Sequence, residues 1–279
     1  MLRSYDRKLD QRLFSDIDLR YVRGFDMFLQ KRSCCGNTRK FYFKALRAIL
    51  NRANAEGVGS VATYPFGRGG FEVSKLEEAT AKRYLPAAEL SKLKSATANN
   101  PQCEYARKLF LFSYYCYGIS FIDMAMLTAA HIKQMEDGDY IVYKRQKIKR
   151  QKGVKPISIK ITPAIRQLIE SLQAASPTVD DFLLPVVTRS GYTGERLYMH
   201  IRTRYSKYQK YLRLLAEELG IDFHLTSYVS RHTAAMTLQR NHIPREVISQ
   251  MLGHADLETT NVYLDSFDNG VINEAAKVL

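Results

Sequence analysis

The stretch Met251–Asp265, MLGHADLETTNVYLD, decides how this chain is read. Gly253 ends the helix predicted over IPREVISQMLG, whose Pro244 suits a first turn, because glycine accepts the left-handed conformation that follows a helix. His254 comes next, and Tyr263 stands nine residues later on a short predicted helix, DLETTNVYLDSF, with Asp256 as its N-cap. A packing tyrosine needs no histidine at that place. A nucleophilic tyrosine does, because a phenol with a pKa of about 10 is a weak nucleophile without a base or a positive field.

The electrophile that suits such a tyrosine is a phosphodiester. Its non-bridging oxygens must be neutralised, best by the bidentate fork of arginine, and the departing 5′ oxygen needs a proton from lysine or histidine. Arginine, lysine, histidine and tyrosine suffice for this chemistry, so neither metal nor ATP is expected as a cofactor. Arg231 lies upstream in SRHTAA, which opens a predicted helix over TSYVSRHTAAMTLQR. Farther upstream, two apolar segments, Tyr140–Tyr143 and Ile157–Ile161, are predicted as strands. Lys144, Arg145, Lys147, Lys149, Arg150, Lys152 and Lys155 crowd the loop between them. Like charges at this density repel unless an anion compensates them, so the loop is expected to lie against a phosphate backbone.

The whole composition agrees with a polyanionic partner. The chain has 279 residues, a formal net charge of +14 and a pI near 9.6. Its apolar content, 46%, is that of a globular protein, and no run is long and uncharged enough to span a membrane. The start, MLRSYDRKLDQRLF, has no apolar secretion signal. Cys34, Cys35, Cys103 and Cys116 form no CxxC pair or zinc-ligand cluster, so reduced thiols in the cytoplasm are expected.

Two domains are predicted. Residues 1–57 read as a small helical domain: DLRYVRGFDMFLQKR places Tyr21, Phe25 and Phe28 at helical spacing. RKFYFKALRAILNRANAEG then forms a long helix, capped by Asn37 or Thr38 and stopped by Gly57. Its expected apolar stripe is Leu46, Ile49, Leu50 and Ala53, and Lys40, Lys44 and Arg47 form a basic stripe on another face. Residues 58–83 are glycine-rich and aperiodic, hence a predicted linker. Residues 84–279 form the larger domain, with its most apolar helical run in YARKLFLFSYYCYGISFIDMAMLTAAHI and a half-basic amphipathic helix in RTRYSKYQKYLRLLAEELG.

SRHTAA followed by LGHADLETTNVYLD resembles the C-terminal signature of the tyrosine recombinases, also called the phage integrase family. LFSYYCYGISFIDMAML resembles the branch found in Bacteroidetes mobile elements and DNA invertases. The resemblance implies a mainly α fold with a small β-hairpin or sheet: a SAM-like core-binding domain and a catalytic domain of the DNA breaking-rejoining type. It implies that Tyr263 forms a 3′-phosphotyrosyl bond, that Arg231 and His254 hold the scissile phosphate, and that a hairpin lysine protonates the 5′ oxygen. Counting from the first strand makes that lysine Lys147, the favoured position; counting back from the second makes it Lys152. Tyr228 stands where the family usually has another histidine.

The first family arginine has no match. Its two customary positions hold Ser120 and Tyr117, with Arg107 a conceivable substitute. The expected function is therefore a metal- and ATP-independent site-specific recombinase acting in integration, excision or inversion. Its alternative is a catalytically compromised relative that only binds DNA sequence-specifically; a type IB topoisomerase would share the chemistry. Expected DNA-binding residues are Lys40, Lys44, Arg47, Lys144, Arg145, Lys149, Arg150 and Lys152. The expected partners are double-stranded DNA with inverted-repeat core sites and further copies of the chain, as a homotetramer, without a membrane. Val271, Ala275 and Val278 in the tail are placed to dock on a neighbouring copy. The location implied is the bacterial cytoplasm, at the nucleoid when DNA is bound. The length leaves no room for a further arm-binding domain, which favours an invertase or simple recombinase over a phage-type integrase.

Overall fold

The computed structural model describes residues 1–78 and 83–253. They fall into two compact units, Met1–Ala81 and Lys82–Leu279. Among the described residues no helix is long and apolar enough to cross a membrane.

The small unit contains α1 (Leu2–Tyr5), α2 (Leu19–Lys31) and α3 (Gly36–Ala55). Asp18 starts α2 by accepting the Tyr21 N–H at 2.8 Å, a cap worth about 1 kcal/mol. Phe25 and Leu29 of α2 meet Phe43, Leu46 and Leu50 of α3. The α3 stripe differs from expectation: Ile49 is 55% exposed, and Phe43 takes the buried place one turn before Leu46. The cap differs too. Cys35 occupies the N-cap, and Asn37 instead exchanges hydrogen bonds with the backbone of Glu78. The predicted linker is partly structural, since Phe66 and Val73 are buried in this unit's core. Aromatic residues spaced irregularly along a coil carry no periodic signal, so burial of this stretch was not legible.

The larger unit comprises α4 (Ala87–Ser95), α5 (Pro101–Tyr115), α6 (Phe121–Ala125), β1 (Ile132–Met135), β2 (Gly138–Tyr143), β3 (Ile157–Lys160), α7 (Pro163–Ala175), α8 (Gly194–Glu218), α9 (Ser227–Arg240) and α10 (Arg245–Leu252). Helix α5 is central and packs against α7, α8 and α9. Leu109, Phe110 and Phe112 of α5 are fully buried there, which explains why its sequence is apolar on most sides. The expected hairpin, β2 with β3, belongs to a three-stranded antiparallel sheet ordered β1-β2-β3, in which β1 adds a strand on the other side of β2. Its register pairs Ile141 with Ile159 and Tyr143 with Ile157, all four buried. Strand β1 escaped prediction because its residues, IKQM, are mostly exposed and lack alternation. Helix α10 ends where the sequence placed its stop: Gly253 has φ +64°, the left-handed C-terminal conformation.

Candidate functional site

Three elements of the larger unit converge on Arg231. The turn after α5 brings Gly118, α9 carries Arg231 itself, and the end of α10 brings Leu252 and Gly253. Arg231 is 4% exposed; its Nη1 donates to the Gly118 carbonyl at 3.0 Å and its Nη2 to the Leu252 carbonyl. Gly118 must be glycine here, since a β-carbon would lie 2.4 Å from the Arg231 Cα and φ is +72°. Burial, with Arg145 adding its own positive charge, holds the Arg231 guanidinium below its ordinary value, down to about 10. It remains a cation at neutral pH.

Tyr228 stands one helical turn before Arg231 on α9, 53% exposed, its ring edge-on to His232 with centroids 5.0 Å apart. Desolvation raises its pKa while the charges of Arg231 and Arg145 oppose the rise. Its phenol is thus a neutral hydrogen-bond donor at physiological pH.

Residues Lys144 to Pro156 connect β2 and β3. Lys144, Lys147, Lys149, Arg150 and Lys152 are exposed along this loop, whereas Arg145 is half-buried. Alternation explains the exception: Ile141 and Tyr143 point inward on β2, and Arg145 continues that row while Lys144 faces out. Arg145 Nη1 donates to the Gly253 carbonyl at 3.3 Å. The loop's first turn is held by Asp123, which is 3% exposed and accepts the Gln146 N–H at 2.7 Å.

Ser120 is not a phosphate ligand in disguise. Its hydroxyl donates to Asp123 Oδ2 at 2.6 Å and accepts the Asp123 N–H at the start of α6. Tyr117 turns the chain at φ +56°. Arg107 is excluded as a substitute by its own partners: two 2.7 Å bonds to the Glu104 carboxylate and one of 2.9 Å to the Leu93 carbonyl. A single sequence lists a cation without its partner, so Arg107 looked free.

In the small unit the basic stripe is less uniform than expected. Lys40 is ion-paired with Glu77 at 2.7 Å, whereas Lys44 and Arg47 are exposed. They line a cavity of about 530 Å³ together with Arg68, which comes from the predicted linker and was missed as a candidate. A second basic groove, also about 530 Å³, lies in the larger unit along the first half of α8, between Arg189, Arg196, His200, Arg204 and Lys207. Only the basic character of that helix was visible beforehand. His254, Tyr263 and the tail positions Val271, Ala275 and Val278 lie outside the described residues; His254 follows Gly253 directly in the chain.

Residues 83–269 match the phage integrase family, and residues 1–72 match the phage integrase SAM-like domain. A segment of 54 residues is 41% identical to tyrosine recombinase XerD of Halalkalibacterium halodurans, covering 19% of this chain and 18% of that protein's length. The fold is similar to XerH site-specific recombinase bound to palindromic difH substrate, with a TM-score of 0.66 and 18% identity over 95% of this chain and 73% of that one. It is also similar to the Tn1549 transposon integrase in complex with transposon right end DNA: TM-score 0.69 and 12% identity over 98% of this chain and 90% of that one. At these identities the structural likeness speaks for the fold.

Proposed function

We propose, since this chain belongs to the phage integrase family of tyrosine recombinases, that it is a site-specific DNA recombinase working through a 3′-phosphotyrosyl intermediate. The observation that carries this reading is the buried Arg231, fixed by the carbonyls of Gly118 and of Leu252, two residues before His254, beside a loop rich in lysine. The bidentate fork of a guanidinium suits a phosphodiester, and the exposed lysines of the neighbouring loop add positive charge for the same ligand.

In this reading the Tyr263 phenol oxygen attacks the scissile phosphorus and passes its proton to solvent water as the new P–O bond forms. The bond to the 5′ oxygen breaks, and Lys147, or Lys152 if the loop register differs, supplies the proton to that oxygen. Arg231 and His254 hold the non-bridging oxygens, and Tyr228 donates from the adjacent turn. Attack by a 5′ hydroxyl from another strand reverses the sequence. The phosphotyrosine keeps the bond energy, so no nucleotide is consumed. Exposed Lys144, Lys149, Arg150 and Lys152 in the larger unit, and Lys44 and Arg47 in the smaller, contact the DNA backbone. Inverted-repeat core sites, assembly as a tetramer through the tail, action at the bacterial nucleoid, and inversion or movement of a mobile segment complete the proposal.

A second reading is favoured by one observation: Ser120 and Tyr117 leave the customary first-arginine positions without a cation. A chain lacking that charge would occupy its sites without cutting. Covalent trapping separates the two. A nicked suicide duplex carrying the bound site is incubated with wild type and with Tyr263→Phe and resolved under denaturing conditions. An adduct formed by wild type alone supports the recombinase; specific binding without any adduct supports the silent binder.

A further inference from the structure

The recombinase reading leaves a chemical deficit. A pentacoordinate phosphorus carries charge on two non-bridging oxygens, and one arginine seldom neutralises both. Neither Ser120 nor Tyr117 can contribute a cation, and Arg107 is committed to Glu104. The charge therefore has to come from a different element of the fold.

Arg145 meets the geometric requirements. It extends the inward row of Ile141 and Tyr143, so its side chain enters the site while its loop neighbours face out. Its stem lies against Gly253, where a β-carbon would come 3.3 Å from the Arg145 Cδ, and its Nη1 reaches the Gly253 carbonyl. The glycine that ends α10 thus also leaves room for this arginine. Among the described residues no carboxylate forms an ion pair with Arg145. Among the described residues the bond to Gly253 engages one of its five N–H donors.

The electrostatics point the same way. Arg145 is close enough to Arg231 that its charge bears on that guanidinium, and the charges of both bear on Tyr228. Two guanidiniums facing one site repel one another, and an anion bound to both relieves the repulsion. Position is secured by Asp123: Ser120 holds one carboxylate oxygen, and the other accepts the N–H of Gln146, the residue after Arg145. The serine in the customary arginine slot thereby braces, through Asp123, the loop that carries an arginine from elsewhere.

We propose that Arg145 is a catalytic residue that binds a non-bridging oxygen of the scissile phosphate together with Arg231, in place of the first family arginine. This rests on the recombinase reading above. Arg145 transfers no proton; it stays charged while the P–O bond to Tyr263 forms and the bond to the 5′ oxygen breaks.

The test uses the full chain and two nicked duplexes that carry the bound site. In one the scissile phosphate is normal; in the other a methylphosphonate replaces it, which removes one negative charge. Arg145→Ala is expected to form the covalent adduct at least about a hundredfold more slowly than wild type on the phosphate duplex. On the methylphosphonate it recovers to within about tenfold of wild type on the same duplex, because the charge it neutralised is gone. Arg145→Gln, which keeps a donor for the Gly253 carbonyl and so guards the local fold, is expected to behave in the same way. Wild-type rates for both variants on the phosphate duplex overturn the proposal. So does a defect of equal size on both duplexes in a variant that still binds DNA. If wild type itself forms no adduct on either duplex, the recombinase reading falls, and the role of Arg145 with it.

Discussion

The Gly118 carbonyl accepts the Arg231 Nη1 at 3.0 Å across 113 positions of sequence, and no β-carbon fits between them. A turn and a helix that are remote in the chain thus approach to backbone contact at the one buried arginine of α9. Gly118→Ala forces a side chain into a positive φ and into the Arg231 Cα at 2.4 Å. It should destabilise the larger unit by about 2–4 kcal/mol, read from the denaturant midpoint, with the transition slope unchanged. A midpoint equal to that of wild type would show that α9 can shift away without cost.

The identity of the general acid is open to a chemical test. Lys147 directly follows Gln146, whose N–H is held by Asp123, whereas Lys152 precedes Gly153, around which a β-carbon would meet nothing within 4 Å. The anchored position favours Lys147. Lys147→Ala should slow cleavage by about 10²–10⁴-fold. A 5′-bridging sulfur should restore it, since a thiolate leaves without a proton. If Lys152→Ala shows that pattern and Lys147→Ala does not, the loop register is the other one.

The α8 groove makes a pH prediction. Burial, followed by the charges of Arg204, Arg189 and Lys207, lowers the pKa of His200 below its ordinary value of about 6.5. The ring also accepts the Thr188 N–H at 3.2 Å, which only its neutral form can do. A base whose folded pKa lies below its unfolded one binds fewer protons when folded. Stability should therefore decline as pH falls from about 6.5 through the lower folded value. His200→Gln should flatten that decline in denaturation midpoints measured across the window. Phosphates bound in the groove would offset the three cations, so a DNA duplex should raise the His200 titration midpoint followed by NMR. A midpoint indifferent to DNA would remove this groove from the interface.

Legibility differed between elements for physical reasons. Helices α3, α9 and α10 were readable from period and terminators, because a helix is closed by neighbours within four residues. Ile49 was misjudged since period alone cannot tell which side of a stripe meets a partner. Helix α7, Pro163–Ala175, carries a local signal in its Thr162 N-cap and the proline that follows it. Phe66 and Val73 hid inside a glycine-rich stretch, where only tertiary packing marks them as core.

The sequence by itself determined the family, because the order of arginine, histidine and tyrosine between SRHTAA and NVYLD is a one-dimensional property. It determined the helix stop at Gly253 for the same reason: a left-handed turn is a local demand. Only the tertiary structure decided the fate of each charge. Arg107 is consumed by Glu104 and Lys40 by Glu77, while Arg145 alone among the loop cations turns inward toward Arg231. Charges act through space, falling off with distance and burial rather than with separation along the chain. A string of residues therefore names the cations, and the fold chooses which of them face the same site.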